Sequence, residues 1–94
     1  MIDVKQAVRS AMEFARELFG EQELRHLRVE EVELSEDERT WNITLGWVEP
    51  AIREKYALVQ GTDEGVQKLP RVYKLFTVDA ERGTVRGTKI RYVA

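Results

Sequence analysis

The sequence predicts an α+β fold: one N-terminal helix laid across a four-stranded antiparallel sheet in meander order. Three observations carry this reading. Apolar residues recur at three- and four-residue spacing from Val4 to Phe19, the period turns to two between Val32 and Trp47, and a tight turn at Ala80–Gly83 separates two further runs of β-forming residues. Ninety-four residues suffice for one hydrophobic core and not for two of ordinary size, so residues 1–94 are expected to form a single domain.

The helix start is signalled by Asp3-Val4-Lys5-Gln6, a capping box in which the Asp3 carboxylate accepts from a first-turn N–H and Gln6 reaches back to the cap residue. Val4, Ala7, Val8, Ala11, Met12, Ala15, Leu18 and Phe19 then form one stripe, expected to be buried against the sheet, and Gly20 is expected to close the helix with a left-handed cap. Beyond it, Val32 and Leu34 alternate with polar residues. After the acidic turn Ser35-Glu36-Asp37-Glu38, the series Trp41, Ile43, Leu45, Trp47 alternates with Thr40, Asn42, Thr44, Gly46. Such alternation describes a hairpin with one apolar and one wet face. Val29 is out of phase with Val32, so either Glu30-Glu31 forms a bulge or the strand begins later than Leu27 implies.

Residues 49–70 are too many for a plain hairpin loop; Ala51–Val59 reads as a short helix or as an extended flap across the sheet edge. Arg71–Asp79 and Thr84–Val93 are rich in β-formers, and Ala80-Glu81-Arg82-Gly83 joins them with Gly83 at positive φ. If Val78 faces Val85, strict alternation places Tyr73, Leu75 and Ile90 on the face opposite Phe76 and Val78, unless a bulge near Gly87 resets the phase. Trp41 and Trp47, on one face with Ile43 and Leu45, are expected to pack under the helix; the alternative is a pocket between helix and sheet, lidded by the segment around Tyr56.

Composition narrows the chemistry. Apolar residues at 43% and charged residues at 34% are ordinary globular values. No apolar run reaches the length of a membrane span, so no membrane insertion is expected, and the charges in MIDVKQAVRSAMEFA interrupt what a signal peptide would need as its apolar core. With no cysteine in the chain, thiolate nucleophiles, disulfides and iron–sulfur clusters are excluded, and a cytoplasmic location is expected.

His26 is the sole histidine, and neither Ser10 nor Ser35 stands in a nucleophile context, so no catalytic triad is proposed. The acidic run Glu30, Glu31, Glu33, Glu36, Asp37, Glu38 lacks the spacing and central glycine of a calcium loop and reads as a solvated edge and turn. No cofactor or metal is implied, and the chain is expected to be non-enzymatic.

The order of elements, together with Asp79-Ala80-x-x-Gly83-x-Val85, resembles the PepSY type of small domain, whose last hairpin carries an Asp-Ala-x-Thr-Gly-x-Val turn; Arg82 stands where threonine is usual. The resemblance implies a PepSY/cystatin-like fold and a role in binding or restraining peptidases, although those domains mostly lie outside the cytoplasm and lack an insert such as residues 49–70. The ending Lys89-Ile90-Arg91-Tyr92 is also faintly similar to the small O-type accessory proteins of gas vesicles.

The net charge of -2 hides an asymmetry. Residues 21–38 hold eight acids against Arg25 and Arg28, whereas residues 68–94 hold seven bases against Asp79 and Glu81. Basic residues interleaved with Tyr73, Phe76 and Tyr92 resemble a nucleic-acid platform, yet the acidic segment would repel the same phosphates, so nucleic acid is an unlikely partner.

In a meander the acidic first strand and the basic last strand lie at opposite edges and cannot neutralise each other across a shared ladder. The expected function is therefore protein binding or weak homodimerisation through the uncovered face, with Tyr73, Leu75 and Ile90 at its centre and Arg71, Lys74, Arg86, Lys89 and Arg91 at its rim. The alternative is a small-ligand domain using the cleft between helix, sheet and residues 49–70.

Overall fold

The computed structural model describes residues 1–49 and 71–91. Helix α1 spans Val4–Phe19 and opens with the expected capping box: the Asp3 carboxylate accepts from the Gln6 N–H at 2.8 Å and Gln6 Oε1 accepts from the Asp3 N–H at 3.0 Å. Gly20 ends it with φ +84°, its N–H donating to the Arg16 carbonyl at 2.9 Å; the ψ of 149° places it outside the left-handed helical region expected of the cap. Strands β1 (Arg28–Leu34), β2 (Thr40–Trp47), β3 (Val72–Asp79) and β4 (Val85–Arg91) form one antiparallel sheet in the order β1-β2-β3-β4, the meander expected from the sequence. The helix or flap expected within residues 49–70, including Tyr56, falls on residues 50–70, and Tyr92 lies beyond β4; both are outside the described residues.

Facing pairs Trp41↔Val78, Ile43↔Phe76 and Trp47↔Val72 put the bulky residues of both central strands on the helix side. The helix meets them with its smallest residues. Ala7, Ala11 and Ala15, one turn apart, are fully buried and let the helix axis come close to the sheet, while Val8, Met12, Phe14 and Phe19 pack at its flanks. Phe14 meets Phe76 edge-on at 6.2 Å between ring centroids, and Phe19 meets Trp47 at 5.4 Å. The Trp41 indole N–H donates to the Ile2 carbonyl at 3.3 Å, and the Ile2 N–H donates to Ala80 at 2.7 Å, which ties the segment before α1 to the far end of the sheet.

Two apolar positions of the stripe are not core. Leu18 is 53% exposed and Val4 40%. Angle is not the reason, since Leu18 lies only about 20° around the helix from Ala7. Both residues sit in the terminal turns of the helix, where Phe19 and Ile2 make the contacts to the sheet instead.

Each outer strand carries one bulge. The register shifts between Val29 and Glu31, leaving Glu30 as the extra residue and placing Val29 on the helix side with Val32 and Leu34. On β4 the register passes from Val78↔Val85 to Thr77↔Gly87, so Arg86 is the extra residue. The second bulge reverses the phase that strict alternation gives to β4. Thr88 and Ile90 face the helix side and Lys89 and Arg91 the other, which corrects the grouping of Ile90 with Tyr73 and Leu75.

Both connecting turns are built by aspartates. In the β3–β4 turn Asp79 Oδ1 accepts from the Glu81 and Arg82 amides, each at 2.9 Å, while the Gly83 N–H donates to the Asp79 carbonyl at 2.8 Å with Gly83 at φ +74°, as the sequence requires. In the β1–β2 turn Asp37 Oδ1 accepts from the Ser35 hydroxyl at 2.7 Å and from the Arg39 amide at 3.1 Å. Those donors hold both carboxyls below the ordinary carboxylate range, the two amides for Asp79 and the hydroxyl first for Asp37.

Two outcomes are expected. Phe76→Ala should destabilise the protein by about 3–5 kcal/mol in denaturant melts and Leu18→Ala by less than about 1 kcal/mol, since only the first creates a cavity. The Asp79 carboxylate has a folded pKa below the unfolded reference of 3.8. Its stabilisation is therefore complete above that value and is lost as the pH falls through the folded value. Asp79→Asn should lower the melting temperature at neutral pH and flatten the acid limb of a melting-temperature profile, the two proteins converging in strong acid.

Candidate functional site

The residues on which the sequence centred an interaction surface are divided by the structure between the two faces of the sheet. Arg71 belongs to the frame. Its side chain is 5% exposed; Nε donates to Glu30 Oε1 at 3.2 Å, and Nη2 donates to the Gly46 carbonyl at 2.7 Å and to the carbonyl of His26. Glu30 also accepts from Arg28 Nε at 2.6 Å. His26 lies in the connection between α1 and β1 with φ +61°, so this guanidinium, by donating to its carbonyl, secures a residue with left-handed backbone. Burial pulls the Arg71 pKa down, Arg28 adds to that, and Glu30 opposes both.

Arg91 is held as well. Nη1 donates to the Thr44 hydroxyl at 2.5 Å, and Nη2 reaches both oxygens of Glu31 at 3.0 and 3.1 Å. A base on β4 is thus paired with an acid on β1 across two intervening strands. The expectation that the two edges cannot neutralise each other within one molecule is corrected here. Ladder geometry does keep them apart, but an arginine is long enough to cross the sheet's surface instead of following its hydrogen bonds.

Lys74 lies on the helix side, its Nζ 4.4 Å from the Phe19 ring centroid and 6.0 Å from that of Trp47. Ile90, 65% exposed, lies on that side also, opposite Lys74 at the β4 edge. Arg86 sits in the bulge near the turns. Tyr73, Leu75 and Lys89 therefore remain as the members of the expected surface that lie on the open face and have no fixed role in the frame. Leu75 pairs with Lys89, and Tyr73 with Arg91. Tyr73 and Leu75 are half-buried apolar neighbours, rimmed by Lys89, the Arg91–Glu31 pair and Glu33.

Sequence reasoning missed Glu30, Thr44 and Gly46. Gly46 has a local reason: a Cβ there would come within 2.7 Å of Glu30 Oε1 and 2.9 Å of its Cγ, so the glycine admits the carboxylate that Arg71 binds. A glycine at a strand interior, opposite a bulge of two glutamates, was the available signal.

Among the described residues no group of three or more His, Cys, Asp or Glu side chains could hold a metal ion, and no helix is long and apolar enough to cross a membrane. The ligand cleft expected against residues 49–70 falls largely outside the described residues. No family model, curated protein or solved structure matches this chain.

Replacing Arg71 by methionine should cost about 2–4 kcal/mol, because Glu30 and two carbonyls lose their donor inside the protein. Arg91→Met should cost less, about 1–2 kcal/mol, since the pair with Glu31 is open to water and only the buried Thr44 hydroxyl loses a donor. Chemical denaturation of the two variants beside the parent measures the contrast.

Proposed function

We propose that this chain is a non-enzymatic, cytosolic module that binds a protein partner or a second copy of itself through the open face of its sheet. The observation that carries the reading is the Tyr73–Leu75 pair. Two apolar side chains sit together on the face away from α1, with charged residues around them, and an apolar centre with a polar rim is the anatomy of a protein interface. The likeness of the Asp79–Val85 turn to PepSY-type domains, which are thought to bind or restrain peptidases, supports a protein rather than a small molecule as partner. Absence of cysteine fits the cytosolic assignment.

The frame arginines narrow the surface. Arg71 and Arg91 are occupied within the molecule, so Lys89 is left to attract an acidic partner, and salt should slow that encounter. Sedimentation over a concentration series at low and high salt, together with pull-downs, tests the proposal. Leu75→Lys should abolish association or capture while shifting stability by no more than about 1 kcal/mol, the range for a partly exposed position. A parent protein that is monomeric at every concentration, with captured partners unchanged by Leu75→Lys, would overturn it.

A further inference from the structure

At the end of the sheet remote from Arg71, the two connecting turns and the β4 bulge enclose a hollow of about 580 Å³ lined by Glu38, Arg39, Asp79, Glu81, Arg82, Thr84 and Arg86. Three arginines meet there from three different pieces of chain. Arg39 stands at the end of the β1–β2 turn, where its carbonyl accepts from the Ala80 N–H at 2.9 Å. Arg82 is inside the β3–β4 turn, and its amide is one of the two that Asp79 binds. Arg86 is the bulge residue, so the register shift brings a third cation to this end of the sheet. The backbones of Arg39 and Arg82 are held by turn hydrogen bonds, and Arg86 is fixed between the paired residues Val85 and Gly87, which lowers the cost of ordering the side chains around a ligand.

None of the three guanidinium groups has a hydrogen-bond or ion-pair partner among the described residues, in contrast to Arg28, Arg71 and Arg91. Three carboxylates line the same hollow. Asp79 Oδ1 accepts from two amides and keeps its charge within reach of Arg82 and Arg86, and Glu81 is paired with the N-terminal ammonium at 3.8 Å. The three guanidinium forks and that ammonium together outnumber the carboxylates by one. A phosphoryl group offers oxygens enough to satisfy all three forks, whereas a carboxylate has two and is matched by one.

We propose that this hollow is a phosphate-binding site, taking inorganic phosphate or the phosphoryl group of a small phosphomonoester between Arg39, Arg82 and Arg86. The site is separate from the Tyr73–Leu75 surface and does not rest on it. Glu38 opposes the ligand: it lines the hollow with like charge and limits affinity.

Amide chemical-shift titrations test the site, with inorganic phosphate and glycerol phosphate as probes and sodium chloride at matched ionic strength as the control. Saturable shifts confined to Glu38–Thr40 and Asp79–Arg86 are expected with at least one phosphate and not with chloride; the tighter of the two identifies the source. The double variant Arg82→Ala/Arg86→Ala should weaken binding by at least about tenfold, the scale of one or two lost charge-assisted hydrogen bonds. Glu38→Gln should tighten it by about threefold or more through loss of a like charge. Arg9→Ala, on the exposed side of the helix, should leave it unchanged. An unaltered amide spectrum away from the substituted turns shows that the double variant is folded. Shifts that do not saturate, that chloride reproduces, or that survive in the double variant would overturn the proposal, as would weaker binding by Glu38→Gln.

Discussion

One buried guanidinium fastens together three parts of this molecule that lie far from it in sequence. Arg71 reaches the turn after α1 through the His26 carbonyl, the β1 bulge through Glu30 and the middle of the sheet through the Gly46 carbonyl. An arginine so enclosed is tolerable only when its donors are met, and here each partner depends on a separate local feature. Glu30 reaches it because the bulge supplies one extra residue. Gly46 admits Glu30 because it has no Cβ. His26 presents its carbonyl because its backbone is left-handed. Removal of any one would strand the others, so the connection from helix to first strand is set by a residue lying 45 positions further along the chain.

The two bulges solve one problem twice. Val29 can face the core while Glu31 and Glu33 face water only if β1 gains a residue between them. On β4, an inward Val85 followed by strict alternation would drive Lys89 and Arg91 under the helix, where a charge without a partner is far more costly than a distorted ladder. One extra residue at Arg86 returns both cations to the open face. The same shift places Thr88 opposite Phe76 with its hydroxyl buried and unpartnered, and leaves Ile90 largely exposed at the edge. Bulges on outermost strands also twist those edges away from regular pairing with another sheet.

These considerations separate what was legible in the residues from what was not. The capping box at Asp3, the alternation from Thr40 to Trp47 and the glycine at position 83 are local signals, and each appears where it was read. The exposure of Leu18 was hidden because periodicity reports the angle around a helix and says nothing of which residue in a terminal turn meets the sheet. Phe14, three residues after Ala11 and four before Leu18, lies on the same stripe and packs against Phe76, although the series as read from the residues passed over it. Placement of Ile90 hinged on a bulge whose place near Gly87 was named but whose presence was left open, although the charges of Lys89 and Arg91 argued for it. Arg71 was beyond reach, because nothing near it in sequence shows that Glu30, His26 and Gly46 converge on it.

The charge asymmetry of the chain takes a different meaning once the sheet is assembled. Along the sequence, an acidic segment and a basic segment look like two poles that require an outside partner. In the folded protein Glu30 and Glu31 are already met by Arg71 and Arg91, so the strongest opposite charges cancel across one face at the end of the sheet near His26. The turns and the β4 bulge carry Arg82 and Arg86 to the other end, where they join Arg39 beside Glu38, Asp79 and Glu81. Long-range folding thus divides one basic segment into a structural half and an available half. Chemical recognition at the open end follows from which arginines the frame does not use, a distinction set by register and invisible to a count of charges.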